Sequence, residues 1–142
     1  MPSTPEETFR RLLDLLLAKD MTAVADLWAE NGTAEFPFAE GASPKRLDGR
    51  EAVRAYLAGY PDLMDVRAIP TVTVHHTLEP DTIVVEFTAD GLTVSTGEPY
   101  RLRYITVITT RDGLITDYRD YWNPVAAAEA AGASSATEQV AR

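Results

Sequence analysis

Carboxylates and phenols are the side chains here best able to do chemistry, and they crowd into one run. In Asp117-Tyr118-Arg119-Asp120-Tyr121-Trp122, strand alternation puts Tyr118, Asp120 and Trp122 on one face and Asp117, Arg119 and Tyr121 on the other. An acid between two large aromatics is a candidate for an apolar pocket. Desolvation there would raise its pKa and make it a usable acid or base near neutrality. The competing reading is a surface acid paired across the strand with an arginine. Glu86, within Ile83-Val84-Val85-Glu86-Phe87, is the second candidate. A charge in so apolar a strand either snorkels at an edge or points into a cavity. Arg103, which shares a strand face with Arg101, Ile105 and Val107, is a candidate to orient an anionic group, against a solvated rim as the plainer role. Trp28, Phe36, Tyr56, Tyr104, Tyr118 and Trp122 are the aromatics that would line a pocket or fill a core.

Other chemistries drop out. The chain has 142 residues and no cysteine, so thiolate metal sites, disulfide scaffolds and cysteine nucleophiles are absent. The only histidines, His75 and His76, are adjacent. On a strand they point to opposite faces and cannot chelate one metal together. No glycine-rich dinucleotide or phosphate loop occurs, and no nucleophile elbow. No metal or cofactor is expected. The formal net charge is −9, which argues against nucleic acid and against an anionic membrane surface. No apolar run reaches the ~20 residues of a membrane span. The N-terminus lacks the basic start of a signal peptide, so a cytoplasmic location is expected.

The elements that must position these residues follow from periodicity. Thr4, Pro5 and Glu7 form a helix start, followed by Phe9, Leu12, Leu13 and Leu16 at helical spacing. Asp20 caps a short second helix carrying Met21, Val24 and Trp28, which Asn31-Gly32 stops. Thr33 to Phe38 is a short strand. Asp48 and Glu51 are a capping pair for a third helix with Val53, Tyr56, Leu57 and Tyr60 on its stripe, ended by Gly59 and Pro61. From Val66 the period changes to 2. Strands are expected over 66–77 (with Pro70 marking an edge or bulge), 82–89, 100–111 and 114–122, and Asp112-Gly113 is a hairpin turn. Three helices followed by a four-strand antiparallel meander is an α+β pattern. Its sheet must curl over the helices, leaving a concave apolar mouth suited to small ligands. Residues 1–125 are expected to form one domain and residues 126–142 an Ala- and Ser-rich tail with a short helix and a disordered end.

Tyr100-Arg101-Leu102-Arg103-Tyr104-Ile105, the Asp112-Gly113 turn and the ending Tyr118-Arg119-Asp120-Tyr121-Trp122-Asn123-Pro124 resemble the SnoaL-like branch of the nuclear transport factor 2 (NTF2)-like superfamily. Asp48-Gly49-Arg50-Glu51-Ala52-Val53 resembles the start of that family's third helix. The resemblance spans roughly residues 5–125. It implies a cone-shaped α+β barrel, three N-terminal helices packed in a curved antiparallel sheet, and commonly a homodimer through the sheet face. Its members include polyketide cyclases, ketosteroid isomerases (a worked case of carboxyl tuning), epoxide hydrolases and phenazine-biosynthesis proteins. The isomerase base falls on Phe36 and the helix-1 tyrosine near Leu12. Both are apolar, which sets that mechanism aside. The epoxide-hydrolase Arg-x-Asp falls on Arg103-Tyr104-Ile105, where the acid is missing. The last-strand carboxylate of the cyclases falls on Asp120, and Glu86 falls on a position often acidic there.

The expectation is therefore a small enzyme acting on an apolar, polyketide- or aromatic-like metabolite by proton transfer: cyclisation, isomerisation or epoxide opening. Asp120 is its acid/base, with Glu86 or Tyr104 polarising or orienting. The alternative is a non-catalytic ligand-binding or dimerisation domain of the same fold. A filled cone would favour that alternative, and an open cavity lined by Asp120 would count against it.

Overall fold

A computed structural model describes residues 2–130. The chain starts with α1 (Pro5–Leu17), α2 (Met21–Ala25), β1 (Trp28–Glu35), β2 (Arg46–Asp48) and α3 (Arg50–Ala58). A 3-10 turn at Tyr60–Asp62 leads to the long strands β3 (Met64–His76), β4 (Thr82–Thr93), β5 (Pro99–Arg111) and β6 (Leu114–Trp122), and α4 (Pro124–Ala130) follows. No helix among the described residues is long and apolar enough to cross a membrane.

The six strands form one curved sheet in the order β2-β1-β6-β5-β4-β3. It is mixed, because β1 runs parallel to β6. This corrects the expected all-antiparallel sheet: the short strand expected at 33–38 is β1, which starts earlier at Trp28 and runs beside β6, and β2 extends the sheet one strand further. The antiparallel core β3–β4–β5–β6 follows the periodicity. Asp112 and Gly113, at φ of 53° and 81°, make the β5–β6 turn that Asp-Gly pairs favour. Pro70 lies on the edge strand β3, whose pairing with β4 is irregular between Val66 and Thr71.

Local signals lose where tertiary pairing competes. Asn31-Gly32 does not end a helix but lies inside β1, at an irregularity between Trp28 and Thr33. A Cβ on Gly32 would stand 2.4 Å from the Ile115 carbonyl oxygen, so only glycine lets β1 approach β6 this closely. Trp28 belongs to β1 rather than α2, and its Nε1 donates to the Thr33 carbonyl at 3.1 Å, bridging the same irregularity. Asp48 does not cap α3. It pairs with Thr33 in the β1–β2 ladder, and Gly49 takes the N-cap position without a side-chain bond. At α1 the capping box forms: Thr4 Oγ1 accepts from the Glu7 N–H at 3.1 Å, and Glu7 Oε1 accepts from the Thr4 N–H at 2.9 Å.

The core lies between α1 and the inner sheet face. Phe9 of α1 is fully buried and meets Phe87 of β4 edge-on, ring centroids 5.5 Å apart. Leu12, Leu13, Ile83, Val85, Ile108 and Ile115 pack around them. Helix α4 occupies part of the stretch expected as a tail. It folds back so that Ala130 is buried against Met64, Tyr100 and Leu102. The expected disordered end, residues 131–142, lies outside the described residues.

Candidate active site

Between α1, α3, α4 and the inner sheet face lies a cavity of ≈490 Å³. Register decides which side chains enter it. Thr106 pairs with Asp120, Tyr104 with Trp122 and Phe87 with Tyr104. These positions alternate in step, so Phe87, Tyr104, Thr106, Tyr118, Asp120 and Trp122 all face inward. Of the residues singled out from sequence, Trp28, Phe36, Tyr56, Tyr104, Tyr118, Asp120 and Trp122 line this cavity. Phe36 stacks on Tyr56 at 5.1 Å and contacts Trp122 at 5.4 Å, forming one wall. Phe87 stacked on Tyr104 at 5.0 Å forms another. Tyr56, 38% exposed, stands at the mouth.

Glu86 and Arg103 are not in this cavity. Glu86 pairs with Ile105, and Arg103 with Thr88, and that parity turns both to the outer face of the sheet. The expectation that either joins Asp120 around a ligand is corrected. Glu86 meets His75 Nε2 at 2.7 Å in the open. Arg103 lines a separate outer groove with Glu86, Ile105 and Tyr121. An Arg103–Asp120 pairing of the epoxide-hydrolase kind is therefore not formed. His75 and His76 diverge as expected: His76 approaches Glu6 of α1 at 3.4 Å, away from Glu86.

Asp120 is enclosed by protein, and it keeps partial exposure through the cavity it lines. Thr106, itself fully buried, donates its hydroxyl to Asp120 Oδ1 at 3.2 Å. No Lys, Arg or His lines the cavity among the described residues, so no cation compensates the carboxylate. Burial pushes its pKa up to about 7, with the Thr106 hydrogen bond opposing the rise. A group at that value exists in both forms at neutral pH, as acid/base chemistry requires.

Four phenols surround it. Burial, and then the neighbouring Asp120 charge, raise the pKa of Tyr56 and Tyr118. Burial first, then the Tyr60 hydroxyl, pushes Tyr104 well above its ordinary value. Tyr60 is raised by burial, then by Tyr100 and Asp120. All four stay protonated at working pH, so they are permanent donors. Tyr60 was not singled out as a site residue, although it continues the stripe Val53, Tyr56, Leu57 by one more turn. The proline after it reads as a helix stop and hides it. Phe87, and Ala127 and Ala128 of α4, also line the cavity; nothing in their sequence context separates them from core.

The SnoaL-like domain profile matches residues 9–118. The uncharacterized protein YesE of Bacillus subtilis is 44% identical over 128 residues, covering 90% of this chain and 87% of that one. The PhzA/B-like protein PA3332 of Pseudomonas aeruginosa is 36% identical over 128 residues, covering 90% of each chain. A crystal structure from Bacillus subtilis, provisionally named an isomerase, superposes with a TM-score of 0.86 at 43% identity, covering 89% of this chain and 91% of that one. With the profile spanning most of the described residues and relatives this close along nearly the whole length, the chain belongs to the SnoaL-like family.

Proposed function

We propose that this chain is a cofactor-independent acid/base enzyme that isomerises or cyclises an apolar, carbonyl-bearing polyketide- or aromatic-like metabolite. The observation that carries this reading is Asp120: one uncompensated carboxyl in an aromatic cavity, at a pKa of about 7. In its ionised form it takes a proton from carbon next to a carbonyl. The electrons of that C–H bond move into an enolate, whose oxygen accepts hydrogen bonds from the Tyr104 and Tyr60 hydroxyls. Where a C=C bond adjoins that carbon the enolate extends into a dienolate, and Asp120, now protonated, returns its proton to the far carbon as the double bond shifts into conjugation with the carbonyl, giving an isomer. In a cyclisation, the enolate carbon instead attacks a second carbonyl carbon, and the proton goes to the new alkoxide. A positioned acid/base supplies about 10²–10⁴-fold; orientation by the aromatic walls supplies the rest. Epoxide opening is the less favoured branch, because Arg103 faces away from Asp120.

The open cavity counts against a purely structural domain. Isomerase is also the provisional name of the Bacillus subtilis protein of known structure. The same reading includes a cytoplasmic homodimer paired through the outer sheet face, where Ile105 is 45% exposed. The test is solvent exchange: cyclic and aromatic polyketone compounds are incubated with the protein in deuterated water and followed by NMR. Deuterium entering next to a carbonyl with the native protein, and about 10²–10⁴-fold more slowly with Asp120→Asn, supports the reading. Equal exchange with both proteins refutes it.

A further inference from the structure

The charge pattern of the cavity narrows what it binds. Its lining among the described residues holds two acids, Asp120 in the interior and Glu40 at the exposed rim, and no basic side chain. Among the described residues Asp120 has a single hydrogen-bond donor, the Thr106 hydroxyl at 3.2 Å to Oδ1. A carboxylate oxygen accepts more than one bond, so this acid retains unused acceptor capacity where it meets the cavity. An anionic ligand would enter such a site with no counter-charge and against Asp120. An ammonium group finds an opposite charge, an open acceptor and aromatic walls, and aromatic rings tolerate a desolvated cation better than aliphatic ones do.

We infer that the carbonyl-bearing ligand also carries an amine in its ammonium form, seated with its nitrogen against the Asp120 carboxylate and its carbon skeleton among Phe36, Tyr56, Tyr104 and Trp122. This rests on Asp120's cavity being the ligand site, and it names the substrate class of that site. The pairing also serves the chemistry. A cation beside Asp120 holds the carboxyl in its ionised form, while the electrons of the broken C–H bond still pass to the ligand's carbonyl.

Three probes of matched shape test it: 1-adamantylammonium, 1-adamantanol and 1-adamantanecarboxylate, titrated by calorimetry at low and moderate salt. A charge-assisted hydrogen bond predicts that the ammonium binds about ten- to a hundredfold more tightly than the carboxylate. The alcohol falls between them, and the preference collapses to within about threefold in Asp120→Asn. An ammonium that binds no more tightly than the carboxylate to the native protein overturns the inference, whatever the variant does. So does a preference that survives Asp120→Asn, which would trace it to the net charge of the chain. Deuterium exchange separates this from the proposed reaction: exchange lost in Asp120→Asn, without any ammonium preference in the native protein, keeps the catalytic reading and discards the amine.

Discussion

Removing the charge of Asp120 without changing its shape should make the protein gain stability on the native chain as pH rises. In the folded chain the carboxyl stands at about 7, against 3.8 for an ordinary one. The folded state therefore binds one proton more than the unfolded state between those values, and stability falls as pH rises through that window. Each tenfold in proton affinity is worth about 1.4 kcal/mol, so the whole window corresponds to a ceiling of about 4 kcal/mol. Between pH 5 and pH 8 the share is about 2.5 kcal/mol, and water reaching the carboxyl through the cavity lowers it to about 1.5–2.5 kcal/mol. Asp120→Asn has no such proton. Chemical denaturation of both proteins at pH 5 and pH 8 should show the variant gaining about 1.5–2.5 kcal/mol on the native protein as pH rises. Any fixed cost of the amide is the same at both pH values and cancels. The salt-bridged acids Asp65 and Asp90, held below the ordinary carboxylate range by Lys19 with Arg67 and by Arg101, titrate in both proteins and cancel too. A gain below about 0.5 kcal/mol, the size of an ordinary surface substitution, would refute the claim that Asp120 is desolvated.

Thr106→Val removes the hydroxyl that donates to Asp120 and favours its ionised form, so the pH at which exchange activity is half-maximal should move up from about 7; an unchanged midpoint would dissociate Thr106 from Asp120. Tyr104→Phe and Tyr60→Phe each delete a donor to the developing enolate, and kcat should fall about 10- to 100-fold with KM little changed; a pure KM effect would make them packing residues only. Glu86→Gln and Arg103→Gln alter the outer face, so turnover should stay within about twofold of native. A hundredfold loss would return those residues to the site.

How much of this was legible in the sequence depends on the range of the interaction that decides each feature. The two faces of β6 were readable, because Tyr118, Asp120 and Trp122 alternate with charged Asp117 and Arg119, and the Asp-Gly turn anchors the strand. Along β4 and β5 alternation also sorts residues into faces, but does not say which face is inside. Val84, Ile105 and Val107 are apolar and point outward, so neither face carries a clean polar signature. Only the pairings Glu86–Ile105 and Phe87–Tyr104 send Glu86 and Arg103 to the outside. The parallel β1–β6 contact joins residues more than eighty positions apart and overrides the local helix-stop signal of Asn31-Gly32. The cavity wall from α4 was hidden for a related reason: an alanine-rich segment carries no pattern that marks what it covers.

The proton affinity of Asp120 decides the account most directly. Carbon-13 NMR of aspartate-labelled protein, with the Asp120 carboxyl resonance identified by its absence in Asp120→Asn, gives that value without any substrate. The account predicts a midpoint near 7. A midpoint near the ordinary 3.8 would mean a solvated acid, fully ionised at neutral pH, and would contradict the acid/base role assigned to it.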